Sequence, residues 1–493
     1  MLDSAGAPEP QWGRREQAGL LLLTALALVL RFIGANSGLW IDEIFSLVDS
    51  FRLPVREIVS SYPGDTHHPL YAVLAHLSLV AFGESTLSIR LPSIIVGAAS
   101  APLLYLLGRE VADRREAAFA ALLLAVSYHH VWFSQNARGY VILAWCAMAG
   151  CWLLLRLLAT GQPRFAAGFA VVTALGAYTH LTMVFIALGQ ALTVLAVLAR
   201  TAPGPGRSRR FRLGSAAFLL AGAGTVALYA PALPQVLDYF LNRPSQLVGV
   251  STPGWAVLES LRVLATGFGA GRVVLGGVVV MVGAGLVLAG AFSYARRNAV
   301  AFGLFVLPGL AIIAGALLAR GTMYPRFFFA LAGFGILIGI RGVVVVAEWI
   351  GRRLPPGFPA GRRLASLGLG LLVVLSLASL PLNYRYPKQD FVGALDFIEA
   401  RRAPGEIIAV IGVTEFAFRK YLGQDAAVVT DDPGLAVLRQ GHAVWFAWAF
   451  PRYLAGSAPD VLATLERECG EPATFRGTIG GGDVHVCRLE PIP

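Results

Sequence analysis

Charged side chains are scarce in this sequence. Of its 493 residues, 14% are Asp, Glu, Lys or Arg and 56% are hydrophobic, whereas soluble proteins carry about 25% charged residues. This composition excludes a soluble globular protein and indicates a membrane protein. The net charge of +11 does not indicate nucleic-acid binding, because the arginines fall between apolar segments, as membrane topology signals do, rather than on one face.

Cysteine is also scarce, with four residues. Cys146 and Cys151 lie inside an apolar segment and are interpreted as packing residues. Cys469 and Cys487 lie in a C-terminal stretch that we place outside the cytoplasm, where they could form a disulfide or stay reduced. The N-terminus lacks a small-residue cleavage site after its apolar core, so we interpret residues 17–34 as an uncleaved first span rather than a signal peptide.

Eleven apolar segments are candidates for membrane-spanning helices, each of which needs about 20 apolar residues. The division of 166–200 into two spans could be drawn differently. A twelfth run, 69–83, is only 15 residues long and contains His76. The eleven candidates are 17–34, 88–107, 116–132, 140–158, 166–179, 181–200, 214–232, 273–293, 299–319, 327–347 and 365–382.

The basic segments decide how the run at 69–83 is interpreted, since Lys and Arg collect in cytoplasmic loops. If this run does not span, all six basic segments fall on the same side of the membrane. The sequence therefore predicts an interfacial helix at 69–83, a cytoplasmic N-terminus, and long outer loops at 35–87 and 233–272. The six basic segments are Arg14–Arg15, 108–116, 156–164, 200–212, 294–297 and 351–363.

Residues 384–493 differ in character from the rest of the chain. "GEIIAVIG" and "AAVVTDD" are predicted strands, and "QDFVGALDFIEARR" and "DVLATLEREC" are predicted helices, an alternation typical of a small α/β domain. Eleven spans place this domain outside the cytoplasm. The predicted fold class is thus an all-α polytopic membrane domain, 1–383, followed by an extracytoplasmic α/β domain, 384–493. The "IGVTEF" turn of the C-terminal domain lacks a glycine-rich phosphate fingerprint, so we assign this domain no nucleotide site. We favour a role for the domain in packing or in acceptor recognition.

With this topology, the unusual polar residues gather at the outer face of the membrane. The first outer loop contains "GANSGLWIDEIFSL", with two adjacent carboxylates between apolar residues. Ionisable groups at membrane depth are costly and usually face a cavity or a partner, so this gathering predicts an active site there. The outer loops hold Asp42, Glu43, Asp65, His67, His68, His129, His130, Gln135, Asn136, Arg138, Tyr140, Tyr178, His180, Asp238, Asn242, Arg243, Arg320, Tyr324 and Arg326.

These residue types suit one kind of chemistry. A carboxylate can act as general base toward a hydroxyl or amine, and a carboxylate with an imidazole can hold a divalent cation. Arginines bind phosphate and stabilise a leaving phosphate. A phosphate-bearing lipid would suit this site, because its chain could lie among the helices while its head group meets the arginines.

Each candidate also has a structural explanation. The Asp42–Glu43 pair could cap a helix N-terminus, and His67 with His68 could form the turn before Pro69. Arg138 could anchor a helix end at the interface, and Tyr140 and Tyr178 could belong to the aromatic belt. Arg326 could neutralise a helix end. Only their meeting on one side of the membrane favours the functional interpretation.

Five motifs, in chain order, resemble those of the C-type integral-membrane glycosyltransferases of family 39. This family includes protein O-mannosyltransferases and the bacterial transferases that attach aminoarabinose to lipid A. The similarity is dense over 20–200 and thins toward residue 326. The motifs are "LWIDEIFSL", "THHPLY" followed by "FGESTLSIRLPS", the Arg-x-Tyr loop in "SQNARGY", "AYTHLTMVF" and "YPRFFFALAGFGIL".

The resemblance implies a hexosyl- or pentosyltransferase of the bacterial inner membrane. Such an enzyme transfers a sugar from a polyprenyl-phosphate donor to an extracytoplasmic lipid, glycan or protein, with inversion. The resemblance also implies Asp42 as the general base, with Glu43 completing the acidic pair. It implies that the donor phosphate or sugar is bound by Arg138, Tyr140, His180 and Arg326.

Metal dependence varies within the family, so a divalent cation remains open as a cofactor, with Glu43 and His67 as its candidate ligands. His67 matches the family histidine, but His68 replaces the first proline of the usual pair. Phe327 and Phe328 stand where Tyr-Leu is common.

Two other functions predict different sequence features from those of a transferase. A transporter or flippase of lipid-linked substrates would show internal repeats with broken helices at the midplane, and the sequence has no convincing repeat. A catalytically silent scaffold protein would be expected to lose the acidic pair, which is intact.

Overall fold

The computed structural model describes residues 13–64, 66–242, 273–318, 325–355 and 361–492. Most of the predicted outer loop 233–272 lies outside these ranges. So do four of the polar residues that we place in the outer loops, namely Asp65, Arg243, Arg320 and Tyr324.

Helices occupy all eleven predicted spans. In chain order the membrane region contains α1 (Arg14–Phe32), α2 (Ile41–Ser46), a π-helical turn (Leu47–Phe51), α3 (Val55–Ser60), α4 (Pro69–Phe82), α5 (Thr86–Val111), α6 (Arg114–Val126), α7 (Tyr128–Ser134), α8 (Tyr140–Thr160), α9 (Pro163–Thr179), α10 (Thr182–Arg200), α11 (Pro205–Tyr229), α12 (Leu233–Leu241), α13 (Val273–Arg297), α14 (Ala299–Leu318), α15 (Pro325–Phe328), α16 (Ala332–Gly351) and α17 (Gly361–Arg385).

Within the described ranges, seven helical segments are long and apolar enough to cross a membrane, and an eighth is added if α6 and α7 form one span. These two helices meet at 55°, so the single span predicted at 116–132 is bent. Ser127 causes the break locally, because its hydroxyl caps α7 by accepting from the His130 amide. The predicted polytopic helical architecture is confirmed, and the count of eleven spans stays a prediction.

The helices differ in how deeply they are buried. Of an apolar 18-residue stretch of α8, 78% is buried inside the protein, whereas the corresponding share in α17 is 17%. A helix that is apolar all round is expected either in a core or against lipid, and the structure assigns these two helices to opposite environments. α8 therefore forms the centre of the helical region, and its first residue, Tyr140, lies at the predicted outer end.

The first outer loop is folded rather than extended. It contains α2, the π-helical turn, α3 and α4. At 1.5 Å per residue, the 14 residues of α4 reach about 21 Å, too short for a hydrocarbon core of about 30 Å. Pro69 begins α4, where its missing amide proton costs nothing. A helix over the predicted run is thus confirmed, and its position in the membrane interface stays a prediction.

The C-terminal region is the predicted small α/β domain. Its sheet has the order β2-β1-β3-β5-β4, with β1 parallel to β2 and β3, and β5 antiparallel to β3 and β4. α17 ends at Arg385, so the domain boundary predicted at residue 384 falls in its last turn. The elements are α18 (Phe391–Glu399), β1 (Ile407–Val410), α19 (Val413–Glu415) continued by a π-helical segment (Phe416–Tyr421), β2 (Ala427–Val428), α20 (Asp432–Leu438), β3 (Val444–Ala449), α21 (Pro451–Ser457), α22 (Pro459–Glu468), β4 (Ala473–Phe475) and β5 (Val484–Leu489).

The cysteines fall into two pairs, as the sequence indicates. Cys469 and Cys487 are disulfide-bonded, with their Cα atoms 5.6 Å apart, and the bond joins the end of α22 to β5. Cys146 and Cys151 are free and buried in α8. The disulfide alternative for the C-terminal pair is therefore confirmed.

The C-terminal domain packs on α2 and α7. Gln389 accepts a hydrogen bond from the Ile41 amide at 2.9 Å and donates to the Gly482 carbonyl at 2.8 Å. The Phe416 ring lies 4.4 Å from that of Phe45. Because Ile41 and Phe45 belong to α2, the domain contacts the helix that carries both acidic residues.

Candidate active site

Glu43 faces the interior of the protein. Its side chain has no solvent exposure, and neither has that of its ion-pair partner, Arg90. Arg90 Nε donates to Glu43 Oε1 at 2.8 Å, and Arg90 Nη2 donates to Oε2 at 2.6 Å. The Ala137 amide also donates to Oε1 at 2.6 Å. Both carboxylate oxygens are therefore occupied by the protein itself.

Arg90 also holds the backbone that leads into α2. It donates to the carbonyl oxygens of Ala35, Ser37 and Gly38 at 2.9 to 3.2 Å. With all these acceptors, the N–H donors of the buried guanidinium are well supplied with hydrogen-bond partners. The Glu43–Arg90 pair thus fixes the start of the first outer loop against α5.

Asp42 points away from this buried pair. Its side chain keeps 14% exposure, and its Oδ2 accepts a hydrogen bond from Arg326 Nη1 at 2.9 Å. Arg138 lies on the same side, with Nη1 donating to Ser46 Oγ at 2.6 Å and lying 3.5 Å from the Asp42 carbonyl oxygen. The structure therefore brings together Asp42, Arg138 and Arg326, which come from three separate segments that the sequence predicts on the outer side.

Rings surround the two arginines. The Arg138 guanidinium lies 5.9 Å from the centre of the Tyr140 ring, within the range of a cation–π contact. The Tyr140 ring lies 5.7 Å from His180 and 5.2 Å from His68. His180 in turn lies 5.5 Å from Phe327. The predicted Tyr140 and His180 thus join the arginines, and His68 completes the group.

His67 lies beside this group, with its Nδ1 3.2 Å from Ser50 Oγ. Its Nε2 is buried and has no hydrogen-bond partner among the described residues. Burial, helped by the charge of Arg138, lowers the pKa of His67 to about 4, although the Ile58 backbone acts in the opposite direction. The imidazole is therefore neutral at physiological pH.

A cavity of about 290 Å³ opens next to this cluster. Ser46 connects the two, because it lines the cavity and also accepts the hydrogen bond from Arg138. The other walls include Phe45, Asp49, Ser50, Thr66 and His67.

The donors do not fit the metal site that the sequence left open. Both Glu43 oxygens already bind Arg90, so Glu43 offers no free oxygen to an ion shared with His67. Across the described ranges, no group of three or more His, Cys, Asp or Glu side chains could hold a metal ion.

Residues 66–233 match the family model described as dolichyl-phosphate-mannose-protein mannosyltransferase. This match confirms the resemblance to glycosyltransferase family 39. The matched range contains Arg138, Tyr140 and His180, while Asp42 precedes it and Arg326 follows it. No curated protein matches the chain.

Solved structures share the fold. ArnT from Cupriavidus metallidurans, bound to undecaprenyl phosphate, is 14% identical with a TM-score of 0.52 over 95% of this chain and 98% of that one. The oligosaccharyltransferase AglB from Archaeoglobus fulgidus, in complex with an inhibitory peptide and a dolichol-phosphate, is 12% identical with a TM-score of 0.53 over 96% and 74%. A second structure of the Archaeoglobus fulgidus enzyme, in complex with Zn and sulfate, is 12% identical with a TM-score of 0.54 over 94% and 72%. The chain therefore has the predicted C-type glycosyltransferase fold.

The sequence alone does not identify three residues that support this site. Arg90 lies in the "SIRLPS" motif, and an arginine within an apolar helix is itself a signal of a buried partner. Ser46 follows Asp42 by one helical turn, so helical periodicity could have found it. Gln389 is 348 positions from Ile41, and no local pattern reveals that contact.

Proposed function

We propose that the protein is a membrane glycosyltransferase that takes a sugar from a polyprenyl-phosphate donor and transfers it, with inversion, to an acceptor at the extracytoplasmic face of the bacterial inner membrane. The acceptor is a lipid, a glycan or a protein. The observation that carries the proposal is the grouping of Asp42 with Arg326 and Arg138 in a C-type glycosyltransferase fold. The polyprenyl phosphates bound to ArnT and AglB support the class of donor.

Arg138 is the main residue proposed to bind phosphate. It is 1% exposed, and no acidic side chain of the described ranges forms an ion pair with it. Its Nε is buried without a hydrogen-bond partner there. A buried charge without a counter-ion is costly, so a phosphate that accepts from this guanidinium would relieve the cost and gain a charge-assisted hydrogen bond.

The proposed reaction needs one base and one stabilised leaving group. Asp42 removes the proton from an acceptor hydroxyl or amine as that atom attacks the anomeric carbon. The bond between this carbon and the phosphate oxygen breaks, and its electron pair leaves with the polyprenyl phosphate. Arg138 and Arg326 stabilise the negative charge that develops on that phosphate. Attack opposite the leaving group inverts the anomeric configuration.

Arg326 has two roles in this mechanism. Its hydrogen bond to Asp42 Oδ2 fixes the orientation of the carboxylate, and its charge lies close to the position proposed for the phosphate. His180 and Tyr140 pack around Arg138 and limit the access of water to the same position. No step uses a metal ion.

The test is incubation of the purified protein with a panel of polyprenyl-phosphate sugars and candidate acceptors, with release of polyprenyl phosphate as the measurement. We expect release from at least one donor. If the protein binds polyprenyl phosphate but releases it from none of the donors, the result would contradict a transferase and favour a lipid-binding or transport function.

The proposed orientation can be tested by labelling an introduced cysteine. Cys146 and Cys151 are buried and Cys469 and Cys487 are bonded, so the native cysteines should give little background. Arg353→Cys, in a basic segment after α16, should react with an impermeant reagent only from the cytoplasmic side. Labelling from the outside would reverse the topology and remove the site from the extracytoplasmic face.

A further inference from the structure

The residues that follow Asp42 line the cavity beside the proposed phosphate site. Helical periodicity places Asp42, Ser46 and the pair Asp49–Ser50 along one side of α2 and the π-helical turn after it. Ser46, Asp49 and Ser50 all line the cavity. One continuous stripe therefore leads from the proposed base into the cavity.

We propose that this cavity binds the sugar ring of the donor, with Asp49, Ser50 and His67 as hydrogen-bonding residues, and that Asp49 determines which sugars are accepted. The inference rests on the proposed function, since it names the subsite that would hold the transferred group.

The position of Ser46 supports this subsite. Its hydroxyl lines the cavity and accepts from Arg138 at 2.6 Å. In a polyprenyl-phosphate sugar the ring is bonded directly to the phosphate, so the ring must lie next to whatever holds that phosphate. With Arg138 holding the phosphate, the adjoining cavity is the space open to the ring.

The size and chemistry of the cavity suit a carbohydrate. Its volume of about 290 Å³ is at the small end of ligand sites, which span about 300–1,000 Å³, and is enough for one ring rather than an oligosaccharide. Ser46, Ser50 and Thr66 supply hydroxyls, and Asp49 supplies an acceptor for ligand hydroxyls. Phe45 supplies an apolar face, such as the C–H side of a sugar ring needs.

His67 is the second, independent observation. Its side chain is buried and lines the cavity, its Nδ1 contacts Ser50 Oγ, and its Nε2 has no hydrogen-bond partner in the described part of the chain. Buried polar atoms are nearly always hydrogen-bonded, and a ligand hydroxyl in this cavity could supply a partner for Nε2. Because the imidazole is neutral, it suits an uncharged hydroxyl better than a second phosphate.

The test compares the binding of two ligands, polyprenyl phosphate and the polyprenyl-phosphate sugar that the panel identifies. Asp49→Asn and His67→Gln should each weaken binding of the sugar-bearing lipid about ten-fold, the effect of one lost hydrogen bond to a charged or buried group. Both should leave binding of polyprenyl phosphate within two-fold. Arg138→Ala should weaken both ligands.

Glu57→Gln is the matched control, because Glu57 is an exposed carboxylate of the same outer loop and should change neither affinity. A thermal melt of each variant separates a binding defect from misfolding. Asp49→Asn should also change the ratio of kcat/KM between two donors that differ at one ring hydroxyl.

Unchanged donor affinity and selectivity in both variants would overturn the sugar subsite, even if the wild type is an active transferase. A change in acceptor KM alone would also overturn it, because the cavity would then hold the acceptor. Wild-type protein that turns over no donor and binds sugar-bearing and sugar-free lipid equally would instead count against the proposed function.

Discussion

The two faces of α2 carry adjacent carboxylates in opposite environments. Glu43 is fully buried, and both of its oxygens accept from Arg90. Asp42 is partly exposed beside a cavity, and one of its carboxylate oxygens accepts a hydrogen bond from Arg326. Two residues of the same charge, one position apart, therefore differ in their contacts: the inner one holds the loop in place, and the outer one is the proposed base.

The surroundings of each carboxylate explain the difference. On the inner face, the Ala137 amide and the capping contact from the Trp40 amide join Arg90 around Glu43, so no site is left for a substrate. On the outer face, the groups nearest Asp42 are Arg326 and the Arg138–Ser46 pair. A general base must lie within reach of a substrate proton, and only the outer face provides that access.

The largest expected effect is on turnover, from Asp42→Asn. The amide cannot take up the acceptor proton, so kcat should fall by about 10²- to 10⁴-fold, the usual contribution of general base catalysis. The melting temperature should stay close to that of the wild type, because the amide oxygen of Asn can still accept the hydrogen bond from Arg326.

Glu57→Gln is the control for Asp42→Asn, as a neutralised carboxylate of the same loop away from the site. The measurement is polyprenyl phosphate release under donor saturation. Near-native turnover by Asp42→Asn would show that the two faces of α2 do not differ as proposed.

Glu43→Gln should affect stability more than chemistry. It leaves the Arg90 charge buried and uncompensated, which typically costs about 3–5 kcal/mol. The measurement is the melting temperature of the detergent-solubilised protein, together with the specific activity of the folded fraction, which should stay near that of the wild type.

The matched control is Glu84→Gln, since Glu84 also pairs with an arginine, Arg52, but both side chains are about two-fifths exposed. That pair should contribute about 0–1 kcal/mol. A loss of activity by folded Glu43→Gln, with an unchanged melting temperature, would assign Glu43 to the chemistry.

The clustering of these residues could be predicted from the sequence, but the different surroundings of the two carboxylates could not. Asp42, Arg138, Tyr140, His180 and Arg326 all lie where the predicted topology and the family motifs put them together. The long apolar runs likewise predict the helices, because about 20 apolar residues leave few alternatives.

What the sequence could not predict depends on packing between distant segments. Which of the adjacent acids turns inward is decided by Arg90 on α5, whose guanidinium reaches Glu43 and three loop carbonyls. The same contact leaves both Glu43 oxygens hydrogen-bonded to Arg90, which the sequence does not reveal when it pairs Glu43 with His67 as candidate metal ligands. The bend at Ser127 coincides with the polar stretch "SYHH", which does not by itself show whether the helix breaks or continues.

The smallest expected effect concerns the contact of the C-terminal domain with α2. Gln389→Ala leaves the Ile41 amide at the start of α2 without its acceptor, which should cost about 1–3 kcal/mol and lower kcat several-fold by loosening Asp42. Affinity for polyprenyl phosphate should change less than kcat, since Arg138 lies in the segment before α8 and not on α2 itself. As a control, Gln440→Ala, at an exposed position of the same domain, should have no effect. If Gln389→Ala changes only the melting temperature, the domain covers α2 without positioning Asp42.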